Sequence, residues 1–426
     1  MSSVHLLVLI HGMWGNPVHL AELARIARET HAEASPDGTR LQLLVAETIR
    51  EDSTYDGIDW GGERIAKEVL ETVKDIEKDG DRVTRFSATG YSLGGLIARY
   101  CIGVLNSQGF FDNVAPVNFN TIATPHCGLP RYESLLSSIT STLGPKLLSR
   151  TGEQFYCVDK WSPKGRPLLV VMADPAREFY KALAKFQNIR IYANGISDRT
   201  VPYVTAAIET SDPFTEYEKD GIEIEYQEKY PHVIDHYTVP DVPPSRPPKP
   251  AALSVDWFKS LKPSGPIVPP FLQFRFPLNI LLYMLLPVLI PGVISLVIIR
   301  FSLASHHSRA RIKELESEAH GGDRPTLLKL IDELEQEMEG AVVDLIDNPD
   351  PSPAYQAPLS KAHPIISPAH RKIAGWLNTL PIKKEIAFFP RMLNTHATII
   401  SRDVQRFDVH RQGEGVIRHW ADSFVV

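Results

Sequence analysis

Residues 86–100 read Phe-Ser-Ala-Thr-Gly-Tyr-Ser-Leu-Gly-Gly-Leu-Ile-Ala-Arg-Tyr and contain the pattern Gly-x-Ser-x-Gly at 90–94. Residues 86–91 predict a strand and residues 93–105 a helix, so the two elements meet at Ser92. On such a sharp turn the serine backbone is strained, and the flanking glycines avoid clashes that larger side chains would make. The bare pattern is common by chance, but here its context favours a reactive serine. We therefore predict Ser92 as a nucleophile.

A second motif, His-Gly-Met-Trp-Gly at 11–15, directly follows an apolar run at 6–10 that predicts a buried strand. A serine that attacks an acyl group creates negative charge on the carbonyl oxygen, which backbone N–H donors stabilise. The amide of Leu93, the residue after the nucleophile, is predicted as one donor of this oxyanion hole. The amide of Met13 is predicted as the other, and His11 is predicted to order the loop rather than act as a base.

Strand and helix patterns alternate over the first half of the chain. Further strands are predicted at 41–46, 118–123 and 189–193, with a helix at 58–76. Strands that alternate with helices form a mostly parallel central sheet with helices on both faces. Together with a reactive serine on a strand–helix turn, this order predicts the α/β-hydrolase fold, with a helical and apolar insertion before the last strand.

The acid of a catalytic triad is expected a few residues beyond a late strand. Asp198 follows the predicted strand at 189–193 and precedes Thr-Val-Pro at 200–202. In that position its carboxylate would orient an imidazole, so Asp198 is predicted as the acid. A turn-capping role is the alternative for Asp198, and Asp174 and Asp212 are the competing acids.

The base is harder to place, because the chain contains 15 histidines. The order serine, acid, histidine along the chain excludes those before Asp198. His396 lies ahead of a closing helix predicted at 414–424, where the loop between the last strand and the last helix is expected. His396 is therefore predicted as the base. The alternatives are His232, His236 and His410.

Taken together, these motifs resemble the putative serine esterase family of lipase-like proteins, including its fungal branch with a lipid-droplet phospholipase. The segments that carry the resemblance are 11–16, 90–100, 122–128 and 198–202, joined in the fungal branch by 394–402 and 415–420. The resemblance covers residues 4–210 and 390–426 and is silent on the middle. It implies phospholipids or related acyl lipids as substrates and a structural role for His126.

Composition divides the chain into six parts. The first part of the hydrolase core, at 1–238, is followed by a linker at 239–270, and ten prolines lie between 240 and 270. Such a composition predicts an extended segment. The later parts are an apolar segment (271–301), a charged helical insertion (302–346), a proline-rich loop with a short helix (347–380) and the end of the core (381–426). Within this last part, 398–400 is strand-like.

Residues 276–299 contain no charged residue and are long enough to span a bilayer. Pro287 and Pro291 interrupt the middle, where each removes a helical hydrogen bond. A single crossing would also separate the predicted nucleophile and acid from the predicted base. We therefore expect a hairpin or a surface-lying helix pair, embedded in one membrane leaflet or a lipid-droplet monolayer. The alternatives are a core helix, or a true span with His232 or His236 as the base.

Composition also bounds the function. The net charge of −6 gives no reason to expect a nucleic-acid partner. Cys101, Cys127 and Cys157 cannot all pair, so reduced thiols in an intracellular protein are expected. The amino terminus lacks signal-peptide features, and no metal or organic cofactor is implied. We expect a lipase or phospholipase on a lipid surface, the alternatives being an acyltransferase with the same triad or a non-catalytic membrane scaffold.

Overall fold

The computed structural model describes residues 2–162, 165–240, 254, 278–319 and 362–426. The strands are β1 Ser3–Ile10, β2 Arg40–Val45, β3 Arg82–Tyr91, β4 Ala115–Ile122, β5 Arg131–Tyr132, β6 Asn188–Asn194, β7 Glu223–Tyr226, β8 Ile234–Thr238, β9 Pro364–Ile365 and β10 Ile382–Ala387. The helices are α1 Ala21–Thr30, α2 Ile58–Lys78, α3 Leu93–Ser107, α4 Leu135–Leu147, α5 Ser149–Phe155, α6 Leu168–Ala173, α7 Glu178–Ala184, α8 Tyr203–Ala206, α9 Tyr217–Asp220, α10 Leu278–Ala319, α11 Pro368–Leu377 and α12 Glu414–Asp422.

Six strands form the central sheet in the order β10-β6-β4-β3-β1-β2, and every neighbouring pair is parallel. Helices cover both faces. Along β1, Leu6 and Val8 pack toward α2, α3 and α7, whereas Leu7 and Leu9 pack toward α1 and α12. Because successive side chains point to opposite faces, a strand buried on both sides must be apolar throughout. The predicted α/β-hydrolase fold is confirmed.

The last strand of the sheet is β10, and the strand-like segment at 398–400 is not a strand. Thr398–Ile400 forms a buried 3-10 turn. β10 lies at the sheet edge and carries charged side chains, with Lys384 paired to Glu209 and Glu385 paired to Arg190. An edge strand keeps one side open to polar groups, so β10 lacks the continuous apolar run of the central strands.

The apolar segment forms one continuous helix, so the expected hairpin is wrong. α10 runs through Pro287 and Pro291 without a break. Each proline removes one backbone hydrogen bond and causes a local clash, but the turns on either side keep their own bonds, as in many membrane helices. The charged stretch that begins at 302 belongs to the same helix. Residues 320–346 of the predicted insertion, and all of 241–270 except Ser254, lie outside the described residues.

α10 has two parts with different surroundings. In its apolar part, residues 283–300, no side chain is buried. In its foot, residues 301–319, the buried positions face the hydrolase domain at helical spacing and comprise Ala304, Ser305, Ser308 and Ile312. The helix is long and apolar enough to cross a membrane. The domain therefore holds the foot, and the apolar part projects away from it.

Candidate active site

Ser92 lies between β3 and α3 in a strained backbone conformation. Its φ and ψ angles are 55° and −126°, a region that residues with side chains rarely occupy. The flanking glycines have steric reasons. A Cβ atom at Gly90 would lie 2.4 Å from the Cα atom of Gly95, and one at Gly94 would lie 2.2 Å from the carbonyl oxygen of Ile10. This turn places the Ser92 side chain beyond the carboxyl end of the strand.

Three side chains that are far apart in sequence form one hydrogen-bonded chain. The Oγ atom of Ser92 lies 3.0 Å from Nε2 of His396, and Nδ1 of His396 lies 2.8 Å from Oδ2 of Asp198. Ser92 is 5% exposed, His396 8% and the Asp198 side chain 1%. An imidazole between a hydroxyl and a buried carboxylate can take a proton from the first while the second holds its ring.

The Asp198 carboxylate is fully engaged by its own loop and strand. Its Oδ1 atom accepts hydrogen bonds from the backbone N–H groups of Thr200 (2.9 Å) and Val201 (2.8 Å). Its Oδ2 atom accepts one from the Asn194 amide at 2.8 Å. Three neutral donors in addition to His396 occupy both carboxylate oxygens and fix the plane of the carboxylate.

The loop after β10 brings His396 to Asp198. Thr395 ties this loop to the acid loop, since its N–H donates to the Ser197 carbonyl and its hydroxyl to the Ile196 carbonyl, at 3.1 and 2.9 Å. The Tyr91 hydroxyl donates to the His396 carbonyl at 2.9 Å. Burial raises the pKa of Tyr91, which keeps this donor protonated. Both sides of the His396 backbone are thus held.

The competing residues have other partners. Asp174 pairs with Arg166, and Asp212 caps the Phe214 amide. The three alternative histidines have other partners. His232 contacts the Phe388 carbonyl, His236 contacts the Thr238 hydroxyl, and His410 accepts from the Asp403 amide. The structure therefore brings none of the alternative acids or bases into the chain of Ser92, His396 and Asp198.

Two buried histidines have structural surroundings. The Nδ1 atom of His11 lies 3.0 Å from the Gly12 carbonyl within its own loop. The Nε2 atom of His126 lies 2.8 Å from the Thr121 hydroxyl. Burial lowers the pKa of both imidazoles, so both are neutral hydrogen-bonding groups at neutral pH. These contacts agree with loop-ordering roles.

The loop after β1 lies directly against the serine. A Cβ atom at Gly12 would lie 2.7 Å from the Cβ atom of Ser92. Among the described residues, the N–H groups of Met13 and Leu93 have no hydrogen-bond acceptor. The hydroxyl of Thr124 donates to the Ser92 carbonyl at 2.9 Å and holds the turn between β3 and α3. An oxyanion hole requires free backbone N–H groups near the reacting serine, and Met13 and Leu93 directly follow Gly12 and Ser92, which lie against each other.

Comparison with known proteins gives the family. Residues 1–212 match the family model described as Putative serine esterase. The chain belongs to this family. The match contains Ser92, Asp198 and Met13 but ends well before His396, so the structure alone brings His396 into the group. Within the described ranges of this family member, no three His, Cys, Asp or Glu side chains are grouped to hold a metal ion.

Curated relatives of this serine esterase family member are fungal. Putative lipase C4A8.10 of Schizosaccharomyces pombe is 30% identical over 211 residues, which are 49% of this chain and 26% of the relative. Putative lipase ROG1 of Saccharomyces cerevisiae is 26% identical over 212 residues, 48% of this chain and 28% of the relative. The chain thus spans about a quarter of the length of each relative.

Two solved structures that match about half of the chain are described as a hydrolase and a phospholipase. A putative cell surface hydrolase from Lactobacillus plantarum is 14% identical, with 48% of this chain and 74% of that one covered and a TM-score of 0.28. Phospholipase PlaB from Legionella pneumophila is also 14% identical, with 49% and 42% covered and a TM-score of 0.27. The fold assignment rests on the sheet order and on the turn at Ser92.

Three supporting residues were not predicted from the sequence. Asn194 orients Asp198, Thr124 holds the Ser92 carbonyl and Tyr91 holds the His396 carbonyl. Each lies inside a segment that the motifs mark, namely the end of a strand or the elbow itself. A rule that polar residues at the carboxyl ends of parallel strands face the site would have selected them.

Proposed function

We propose that this protein is a serine esterase that hydrolyses acyl esters of lipids, as a lipase or phospholipase, at a membrane or lipid-droplet surface. The carrying observation is the hydrogen-bonded chain from Ser92 through His396 to Asp198, with the serine on a strained turn between β3 and α3. Membership of the serine esterase family supports the same chemistry.

In the first half of the reaction, the Ser92 oxygen attacks the ester carbonyl carbon while Nε2 of His396 takes the hydroxyl proton. The carbonyl oxygen becomes negative and accepts hydrogen bonds from the Met13 and Leu93 amides. The tetrahedral intermediate collapses, His396 returns the proton to the departing alcohol, and an acyl ester of Ser92 remains. Asp198 keeps the positively charged imidazole oriented throughout.

In the second half, water replaces the alcohol. His396 removes a proton from water as the water oxygen attacks the acyl carbon. The same two amides stabilise the second oxyanion. Collapse of this intermediate releases the fatty acid and returns the proton to the Ser92 oxygen. An alcohol in place of water would give acyl transfer, and analysis of products with and without an added alcohol separates the two reactions.

Exposed apolar surface supports action at a lipid surface. The apolar part of α10 is exposed along its length. α4 carries a second apolar strip, because Leu135, Leu136 and Ile139 are 86%, 72% and 54% exposed. The two helices meet where the Ser305 hydroxyl donates to the Lys146 carbonyl at 3.0 Å. Exposed apolar surface on two helices that contact each other favours membrane or protein contact on this side of the domain.

The decisive test is removal of the nucleophile. We expect Ser92→Ala to lower kcat for a soluble p-nitrophenyl ester by several orders of magnitude and to abolish labelling by a fluorophosphonate. The matched control is Ser107→Ala at the other end of α3, which should keep near wild-type activity. A purified, folded Ser92→Ala protein that retains more than about a tenth of the turnover would contradict the proposal.

A further inference from the structure

The foot of α10 touches the loop that carries Met13. Phe301, the first residue of the foot, stacks on the indole of Trp14, with ring centroids 5.5 Å apart and planes at 17°. Trp14 is the residue directly after Met13. Aromatic pairs in this arrangement contribute about 0.5–1.5 kcal/mol beyond the area that they bury. The helix with the exposed apolar part is therefore in direct contact with the oxyanion loop.

Trp14 has a backbone conformation that its surroundings must maintain. Its φ angle is 54°, in the left-handed region that costs a non-glycine residue on the order of 1 kcal/mol or more. The Trp14 N–H donates to the Thr54 hydroxyl at 3.2 Å, and its indole N–H donates to the Tyr55 hydroxyl at 2.8 Å. The segment Glu51–Tyr55 thus holds Trp14. These contacts fix the peptide plane between Met13 and Trp14, one residue after the Met13 N–H.

The foot of α10 also contacts residues 51–56, the segment whose hydroxyl groups bind Trp14. The Arg311 guanidinium donates to the Asp52 carbonyl at 2.9 Å and to the Asp56 carboxylate at 2.8 Å. Asp56 is fully buried and pairs with Arg64 as well. A buried carboxylate needs such partners, because an unpaired buried charge is strongly destabilising. The foot of α10 therefore reaches Trp14 by two routes. Phe301 stacks on Trp14 directly, and Arg311 is connected to it through residues 51–56.

We propose that the foot of α10 positions the Met13 N–H as an oxyanion donor, with Phe301 and Arg311 as positioning residues. The inference rests on the proposed function, since it needs Met13 to act on a tetrahedral intermediate. It gives α10 a second role in addition to lipid contact. The same helix then places the domain at the lipid surface and completes the hole that stabilises the reacting oxygen.

The test separates catalysis from surface binding. The full chain is purified in detergent and assayed on a soluble p-nitrophenyl ester, so that binding to lipid does not limit the rate. We expect Phe301→Ala and Arg311→Met each to lower kcat about tenfold or more, with KM changed less than twofold. Loss of a whole oxyanion donor costs about 10²–10³, so a misdirected donor should cost less.

Affinity for a transition-state analogue is the second readout. An alkyl trifluoromethyl ketone forms a tetrahedral adduct with Ser92 whose oxyanion needs the same donors. Its inhibition constant should rise by the factor by which kcat/KM falls. A purely structural role of the foot would lower the melting temperature and the fraction of active protein, but it would leave both constants per active site unchanged.

Matched controls lie on the same helix. Leu303 is 56% exposed, and Arg309 forms a long ion pair of 3.8 Å with Glu153 at the surface. Leu303→Ala and Arg309→Met should keep wild-type constants, and Phe301→Trp should keep the stack and kcat. Unchanged kcat in folded Phe301→Ala and Arg311→Met would overturn the inference alone. The proposed function itself would be overturned if the wild-type protein showed no ester turnover that is lost in Ser92→Ala.

Discussion

At the scale of single residues, the orientation of the His396 ring depends on one acceptor atom. Oδ2 of Asp198 faces Nδ1 of His396 at 2.8 Å, so Nδ1 carries the proton and Nε2 is free to act as base. In Asp198→Asn, an amide N–H₂ can face Nδ1 and stabilise the wrong tautomer. We expect kcat/KM for a soluble ester to fall roughly 10³–10⁴-fold, with the fold intact by circular dichroism.

The double variant checks that the residues act as a unit. His396→Ala should cost as much as Asp198→Asn, and the two together little more. Asp174→Asn, which alters an acid paired with Arg166, is the control and should stay near wild type. Additive losses, or full activity in His396→Ala with loss in His236→Ala, would refute this assignment.

How much of the site the sequence predicts depends on the range of the interactions. Ser92 and Asp198 lie within motifs whose local backbone geometry is encoded by nearby glycine, valine and proline. His396 was predicted from chain order, because its contact with Asp198 arises only when the loop after β10 meets the loop after β6. The hydrogen bonds from Thr395 to the loop after β6 join residues about 200 positions apart. No local sequence pattern predicts such contacts.

At the scale of elements, α6 begins beside a carboxylate with an unusual pKa. The Asp159 side chain accepts the Leu168 N–H at 2.8 Å at the start of α6. Burial, and to a smaller extent the neighbouring Asp59, raises the pKa of Asp159 from 3.8 to about 7, against the opposing effects of the Leu168 N–H and of Arg150. The folded protein therefore keeps a proton that the unfolded chain releases, and stability falls as pH rises from about 4 to about 7.

Asp159→Asn removes this dependence and keeps an acceptor for Leu168. We expect the variant to exceed the wild type at pH 8 by about 1–3 kcal/mol in free energy of unfolding, and to equal it near pH 4. Urea unfolding at both pH values measures the difference. The exposed Asp75 on α2, changed to Asn, is the control without such a trend. Equal wild-type and Asp159→Asn stability at pH 8 would refute the prediction.

Two segments near the end of the chain depart from their sequence patterns for the same physical reason. Thr398–Ile400 has β-branched residues but lies in a buried turn, and β10 has charges but completes the sheet. In both, tertiary contacts override local propensity. In α10, two prolines predicted a bend, but the helix is continuous. A proline's cost is local, and the bonds of a long helix outweigh it.

At the scale of the whole molecule, the continuous helix restricts the arrangement in which the proposed lipid contact can be made. Residues before 240 and the foot of α10 belong to one domain, so both must lie on the same side of a bilayer. If the apolar part crossed a bilayer, residues 241–277 would have to cross back. That stretch contains seven charged residues (Asp241, Arg246, Lys249, Asp256, Lys259, Lys262 and Arg275). Each would cost about 2.5–3.5 kcal/mol at the bilayer centre. An inclined or in-plane helix within one leaflet avoids this cost.

Cysteine tags on either side of the apolar part test this arrangement. Pro266→Cys and the exposed His307→Cys, each in a Cys157→Ser background, are reconstituted into vesicles with the hydrolase domain outside. The background should stay unlabelled, because Cys101 and Cys127 are buried and burial raises the pKa of both thiols. We expect a membrane-impermeant maleimide added outside to label both tags equally, with no gain after lysis. Labelling of the tag at 266 only after lysis would mean that α10 crosses the bilayer. The chain would then have to cross twice, because the bond from His396 to Ser92 keeps both ends of the domain together.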